Sequence, residues 1–577
     1  MKATRRAVMI AAGSTALLPR FAFSASDPYD IPMQGNARII HQTDTHAQAR
    51  PVQFREPSQN IGVGAAKGQA PHFVGHAFLQ HYHMAPASRA AHAFTFLDFV
   101  KLAQQYGPLG GFAHIKTVID QLRASAGPGK SLLLDGGDLC QGSGVANLTK
   151  GLSMVELGNL LGIDAMTGHW EFTYGQDGVE AIVKALHGKF LAQNVFLSAE
   201  AGMMGRPAFN TNSGSVFEPY MIRELGAHRV GVIGQAFPYV PIAHPRRFVP
   251  DWRFGIHQAN MQKMVNQLRE IHKVDAVLLL SHNGMEVDLK LASLVRGIDI
   301  VLGGHTHDAV PQPVLVKNPG GTTIVTNAGT AGKFVAVLDL DLAKGKLRDM
   351  HYKLLPIYTD MIKPDPLVTA AIEKSEAPYK TMLNEKLAET ESLLYRRNNF
   401  YGSVDQLIMN AAREEMDAEI AFSPGFRWGN SFLPGTSFTM GDLLSETAIT
   451  YPMAYTQMMT GSAIKAMMED VCDNLFNPNP FYQQGGDMIR VGGMNYSCAP
   501  GKLIGQRISD IVLDSGKPVE ANKSYKVVSW ASVSLPQDGK PIWDVVASNL
   551  RRHKVVKVVK PNQVKLLGIG SNPGYET

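Results

Sequence analysis

Three cysteines in 577 residues are too few for a disulfide framework. Cys472 and Cys498 can pair if the fold brings them together, which leaves Cys140 over. Core packing is the plainer expectation for each, because free cysteine is usually buried. Past the N-terminus no apolar run approaches 18 residues, so no membrane span is expected. Excess charge is also missing. The formal charge is +5, yet Lys2, Arg5, Arg6 and Arg20 fall within residues 1–25 with no acid among them, and without those four it is +1. A nearly neutral chain is a poor candidate for nucleic-acid binding driven by phosphate neutralisation. Hydrophobic residues at 45% and charged residues at 18% exclude global disorder, and the length suits two or three domains.

The first 25 residues run from basic Lys2–Arg6 through apolar Ala7–Leu18 to small residues near Ala22–Ser26. That layout predicts an export signal and hence a periplasmic protein. Arg5-Arg6, ahead of Ala7-Val8-Met9-Ile10, resembles a twin-arginine signal, a route that carries proteins already folded.

From residue 37 to about 345 apolar strands alternate with helix-like stretches. The strand candidates are Arg38–Gln42, Ser131–Leu134, Val230–Ile233, Ala276–Leu280, Ile298–Leu302, Thr323–Thr326 and Val335–Leu340. Gly178–Leu186 and Asn260–Ile271 carry helical spacing. The alternation predicts a layered α/β domain. Residues 50–110 interrupt it with a Gly-, His- and Pro-rich stretch, expected to be an insertion beside the site and a plausible wall for an access channel. Residues 346–395 read as a charged, helical linker with a break at Lys363-Pro364-Asp365-Pro366. A second α/β domain is expected over 396–577, with helices at Val404–Met416 and Ser462–Leu475, a strand at Tyr525–Ser529 and a Val-rich tail at Val555–Val559.

Several first-domain strands run into groups that bind metal. Arg38–Gln42 leads to Asp44 and His46, and Ser131–Leu134 to Gly137-Asp138. Gly168-His169-Trp170-Glu171 follows. Ala276–Leu280 leads to Ser281-His282-Asn283-Gly284, and the strand ending at Leu302 to Gly304-His305-Thr306-His307. Carboxylates and imidazoles at strand ends, with glycine beside them so that backbone can approach an ion, are what a metal site in an open α/β sheet requires. A lone Asp-x-His or His-x-His is usually a solvated turn. Five such blocks in one domain predict metal chemistry.

These five blocks resemble those of the calcineurin-like metallophosphoesterases, and more narrowly their 5′-nucleotidase branch. That resemblance implies a layered α/β sandwich catalytic domain over 37–345 and a second α/β domain of the 5′-nucleotidase C-terminal type. Block by block it implies that Asp44, His46, Asp138 and His307 hold one ion, and that bridging Asp138, His169, His282 and His305 hold another. Two metals about 3.5–4 Å apart would generate a hydroxide and clamp the anionic group under attack. Ser423-Pro424-Gly425-Phe426-Arg427 corresponds to the block of the family's substrate arginine, and a planar guanidinium matches two oxygens of a sulfonate as well as those of a phosphate. Met440-Gly441-Asp442-Leu443-Leu444 carries the resemblance further along the second domain.

The third block departs from the phosphatase pattern of Gly-Asn-His-Glu followed by Phe and Asp. That His, oriented by the Asp, protonates a leaving alkoxide. The corresponding residues here are His169, Trp170 and Thr173. A metal ligand survives as imidazole, but indole and hydroxyl donate no proton at neutral pH. An enzyme without that acid suits a leaving group needing no protonation, and thiolates, with pKa values near 8.5, qualify where alkoxides do not. The block, the signal and the insertion together resemble the SoxB family, the thiosulfohydrolases of the bacterial sulfur-oxidising (Sox) pathway. The resemblance implies two Mn ions, with Zn or Fe also permitted by the ligand set. It further implies attack of metal-bound hydroxide on a cysteine S-thiosulfonate carried by SoxYZ, releasing sulfate. Trp170 is expected to wall the channel for the carrier arm. An exported 5′-nucleotidase or cyclic-nucleotide phosphodiesterase, and a metal-holding carrier partner without turnover, are the alternatives.

Overall fold

The apolar runs Ala37–Gln42 and Ser131–Asp135 pair in parallel at the middle of a six-stranded sheet. Its order is Lys346–Pro356, Phe334–Ala343, Ala37–Gln42, Ser131–Asp135, Ala165–Met166, Lys189–Phe190. A second six-stranded sheet runs Val314–Asn318, Gly321–Asn327, Ile300–Gly303, Ala276–Ser281, His228–Gln235, Tyr220–Leu225. Ile40, Leu133, Leu278 and Ile300 share one core, so the sheets face each other. On the outer face of the second sheet, Val277, Leu279 and Val301 pack under Met261, Val265 and Leu291 of the helices Gln258–Asn266 and Met285–Leu294. This is the expected layered α/β sandwich. Its central strands are buried on both faces and so read as unbroken apolar runs. The computed structural model describes residues 27–534, 538–558 and 561–577, and the expected export signal lies outside them.

Two expectations need correction. Lys346–Pro356, expected as the start of a linker, is an eleven-residue edge strand antiparallel to Phe334–Ala343. Its solvent-facing Lys, Arg and Asp residues gave the segment its charged character and concealed the strand. Lys363-Pro364-Asp365-Pro366 does not break a helix but starts one. The Asp365 side chain accepts from Val368 N at 2.9 Å and caps Pro366–Glu376. That helix buries Val368 and Ile372 in the first-domain core. Lys386–Thr390 pairs instead with Ser437–Thr439 and Val555–Val556 of the second domain. Val559, the end of the expected Val-rich tail, lies outside the described residues.

The second domain is built on a sheet ordered Ala454–Thr460, Ser524–Trp530, Ile420–Ser423, Arg490–Gly492. Helices Ser403–Met416, Gly461–Phe476 and Ile542–His553 accompany it. Residues 50–110 hold short helices at Gly75–His81, Arg89–Phe94 and Phe99–Tyr106, the last with Phe99, Leu102 and Ala103 buried at helical spacing that the sequence analysis did not pick out. Buried Lys333 anchors this stretch, pairing with Glu56 and donating to Phe54 O at 3.3 Å. The stretch also reaches the second domain, where Asn399 Oδ1 accepts from Ile61 N at 2.8 Å. Among the described residues no helix is long and apolar enough to cross a membrane.

Candidate metal centre

All seven side chains expected to bind metal converge where the strands of both sheets end. They form two buried groups: Asp44, His46, Asp138 and His307, and His169, His282 and His305. Asp138 joins the groups. Its Oδ2 lies 3.1 Å from His282 Nε2, 3.2 Å from His46 Nε2 and 3.5 Å from His169 Nδ1. Asp44 Oδ1 stands 3.3 Å from His307 Nε2 and 3.8 Å from His282 Nε2. Burial would raise the Asp138 carboxyl, but His282, His169 and His46 outweigh it and hold the carboxyl well below the usual range. His282 rises to about 10, with burial opposing and Asp138 and Asp44 prevailing.

The surroundings fix ring orientation. His282 Nδ1 lies 2.6 Å from Gly136 O and His46 Nδ1 3.2 Å from Gln141 O, which frees both Nε2 atoms for the centre. Asp44, His46, Asp138, His305 and His307 all have positive φ, a costly backbone that marks a site held by its surroundings. Gly137 has φ +100°, and a Cβ there would stand 2.9 Å from His282 Nδ1. Six imidazole and carboxylate groups gathered around the Asp138 carboxylate fit a pair of divalent cations. So does His169, buried with no hydrogen bond at either ring nitrogen. The set contains no thiolate, which permits Mn, Fe or Zn.

Several residues that matter here were not legible in the motifs. Glu171 is fully buried and accepts from Leu139 N at 2.8 Å, His169 N at 2.9 Å, Cys140 N at 3.1 Å and Asp138 N at 3.3 Å. One carboxylate thus gathers the backbone of two ligand loops. Asp288 accepts from Ser281 Oγ at 2.7 Å and Asn283 Nδ2 at 2.9 Å, steadying the loop around His282. Phe237 packs its ring 4.0 Å from that of His169 and 4.2 Å from that of His305. Cys140 lies beside the site, fully buried, and burial and then Glu171 push its thiol well above the usual range.

The second domain closes the centre from above. Arg427 donates to Gly486 O at 2.8 Å and His305 O at 3.4 Å, with Asp487 Oδ1 at 3.5 Å from its Nε. Arg397, unmarked in the sequence reading, donates to Thr306 O at 3.0 Å and pairs with Asp487 at 3.1 Å. Both guanidiniums therefore hold the main chain of the ligand loop. A cavity of about 40 Å³ separates Arg427 and His305 from Asn60 and His72 of the insertion. Gly485, at φ +77°, lies so close that a Cβ would fall 2.0 Å from His305 Nε2.

Trp170 is buried and joins the second-domain core. Its ring meets Phe426 edge-on at 5.4 Å and Trp428 at 6.1 Å. Trp428 in turn stacks on His46 at 6.4 Å.

Residues 386–545 match the 5′-nucleotidase C-terminal domain family. The sulfate thiohydrolase SoxB of Thermus thermophilus, solved with glycerol, superposes with a TM-score of 0.88 at 34% identity, over 94% of this chain and 98% of that one. The 5′-nucleotidase of Bos taurus is 25% identical over 460 residues, 73% of this chain and 76% of that protein. The trifunctional nucleotide phosphoesterase YfkN of Bacillus subtilis is 25% identical over 500 residues, 80% of this chain. The match spans only 33% of YfkN.

Proposed function

We propose a function from one premise: the chain belongs to the SoxB family, in the 5′-nucleotidase branch of the calcineurin-like metallophosphoesterases, and is a metal-dependent hydrolase. The reaction proposed is hydrolysis of a cysteine S-thiosulfonate on the carrier SoxYZ. Water oxygen adds to the sulfonate sulfur, the sulfur–sulfur bond breaks, sulfate departs, and the carrier cysteine keeps a persulfide. Asp44, His46, Asp138 and His307 would hold one ion, and Asp138, His169, His282 and His305 the other; we propose Mn for both. When bound, such a pair activates a water and neutralises the anionic group under attack.

The observation that carries this reading is the fate of the third block. Trp170 is packed into the second domain, and the Thr173 hydroxyl lies 2.8 Å from the Thr450 hydroxyl. Neither stands ready to protonate a leaving oxygen, whereas a persulfide leaves as a stable anion. Arg427 and Arg397 hold the His305–Thr306 main chain, and the proposed role of Arg427 is to orient the sulfonate. Arg427→Ala should cost about 10²–10³-fold in activity, as for loss of one oxyanion donor, when compared at equal metal loading, since the same side chain also holds the His305 main chain.

The test is sulfate release from thiosulfonate-loaded carrier, run beside hydrolysis of AMP. Fast AMP turnover without sulfate release would replace this reading with the nucleotidase one, which the 5′-nucleotidase relatives favour. Carrier binding with neither activity would mark a partner without turnover. Elemental analysis of natively purified protein showing Zn and no Mn would overturn the metal assignment.

A further inference from the structure

Cys472 and Cys498 stand apart from the metal centre, in the core of the second domain. Cys472 lies on the helix Gly461–Phe476, and Cys498 ends the strand Met494–Cys498. Both are fully buried, in one cluster with Ile464, Met468, Tyr496 and Ile508. Their sulfur atoms face each other at 3.7 Å. Two cysteines packed merely as small hydrophobes have no reason to meet, since their sulfurs make only weak hydrogen bonds.

We propose that Cys472 and Cys498 are a disulfide site, closed when the chain meets a disulfide oxidant. Contact at 3.7 Å must shrink to about 2.05 Å for the bond to form. In the exchange one thiolate attacks the oxidant's disulfide and expels a thiolate. The thiolate of the second cysteine then attacks the protein sulfur of the mixed disulfide, closing the Cys472–Cys498 bond and expelling the oxidant's remaining thiolate. Two protein thiols lose two electrons and two protons, and the oxidant, glutathione disulfide or a protein disulfide, becomes two thiols. The contact with Cys472, followed by burial, pushes the Cys498 thiol far up, so exchange requires local opening of this core. The bond would tie the helix to the strand. The last turn of that helix, Asn474–Phe476, lines the cavity beside His305 and Arg427. Cys140 takes no part, being buried in the first-domain core.

The inference is independent of which substrate the metal centre takes. Reduced full-length protein is incubated with glutathione disulfide at temperatures up to just below its melting point, then denatured and alkylated with N-ethylmaleimide. The expected result is one alkylated thiol, Cys140, a cross-linked peptide joining Cys472 to Cys498, and loss of two hydrogens from the intact mass. The oxidised protein should melt about 5 °C above the reduced one, because the bond restricts the unfolded chain. Cys498→Ser and Cys472→Ala should each abolish the cross-link and the increment. Three alkylated thiols at every temperature, or glutathione adducts without the cross-link, would overturn the proposal.

Discussion

The hydroxyl of Thr173, from the first domain, lies 2.8 Å from that of Thr450 in the second, and Thr450 also donates to Thr173 O at 2.9 Å. Thr173, which the sequence resemblance sets against the family's orienting Asp, here fastens two domains. Trp170 does the same with its ring, buried against Phe426 and Trp428.

Restoring the acid pair therefore has two expected effects. Trp170→His with Thr173→Asp should raise the ratio of phosphate-ester to thiosulfonate hydrolysis, by about 10²-fold at the low end of general acid catalysis. It should also lower stability by about 3 kcal/mol, since a buried indole is removed from a packed core. Rates on both substrates with metal content confirmed, together with denaturant melts, check the two effects separately. An unchanged ratio would show that the missing acid does not set substrate preference.

Gly485→Ala should disrupt one metal and leave the fold intact. The added Cβ would stand 2.0 Å from His305 Nε2, so the imidazole must move, and the left-handed backbone at φ +77° adds strain. The expected result is about 10–100-fold weaker binding of one ion, the scale seen when a ligand's support is lost. Equilibrium dialysis with elemental analysis measures it.

Glu171→Gln should weaken metal binding to a similar degree without touching a ligand. A carboxylate accepts all four amide N–H groups, whereas the amide turns an NH₂ toward some of them. A smaller rise in melting temperature on metal addition, relative to wild type, is the readout.

Glu446 supplies a pH signature. Burial raises its carboxyl to about 7, against partial relief from Arg396. The folded state keeps a proton that the unfolded state releases near 4.5, so stability from this group is complete below that pH and is lost as pH rises through 7. Glu446→Gln should be nearly neutral at pH 4 and gain on wild type towards pH 8, by a few kcal/mol at most, on the order of 3. Parallel denaturation curves across that range test it; a pH-independent difference would place the carboxyl elsewhere in its titration.

The seven expected metal-binding residues were legible because each lies just after a strand or a glycine, and strand ends are where an open sheet displays its groups. Glu171, Asp288 and Phe237 carried no such mark. Glu171 lies inside a recognised block, yet its work is done on amides about thirty residues away. Gly485 and Arg397 act across the domain boundary, which no local spacing records. Lys346–Pro356 was obscured by its charged outer face.

The indole at 170 ties the chemistry open to this site to the packing of the neighbouring domain. A designer who replaced it with imidazole would gain a proton donor and, in the same step, open a hole in the neighbouring domain's interior. A change at this position needs compensating changes at Phe426 or Trp428, or the fold is weakened. One residue thus decides both what this position can donate and how the neighbouring domain packs.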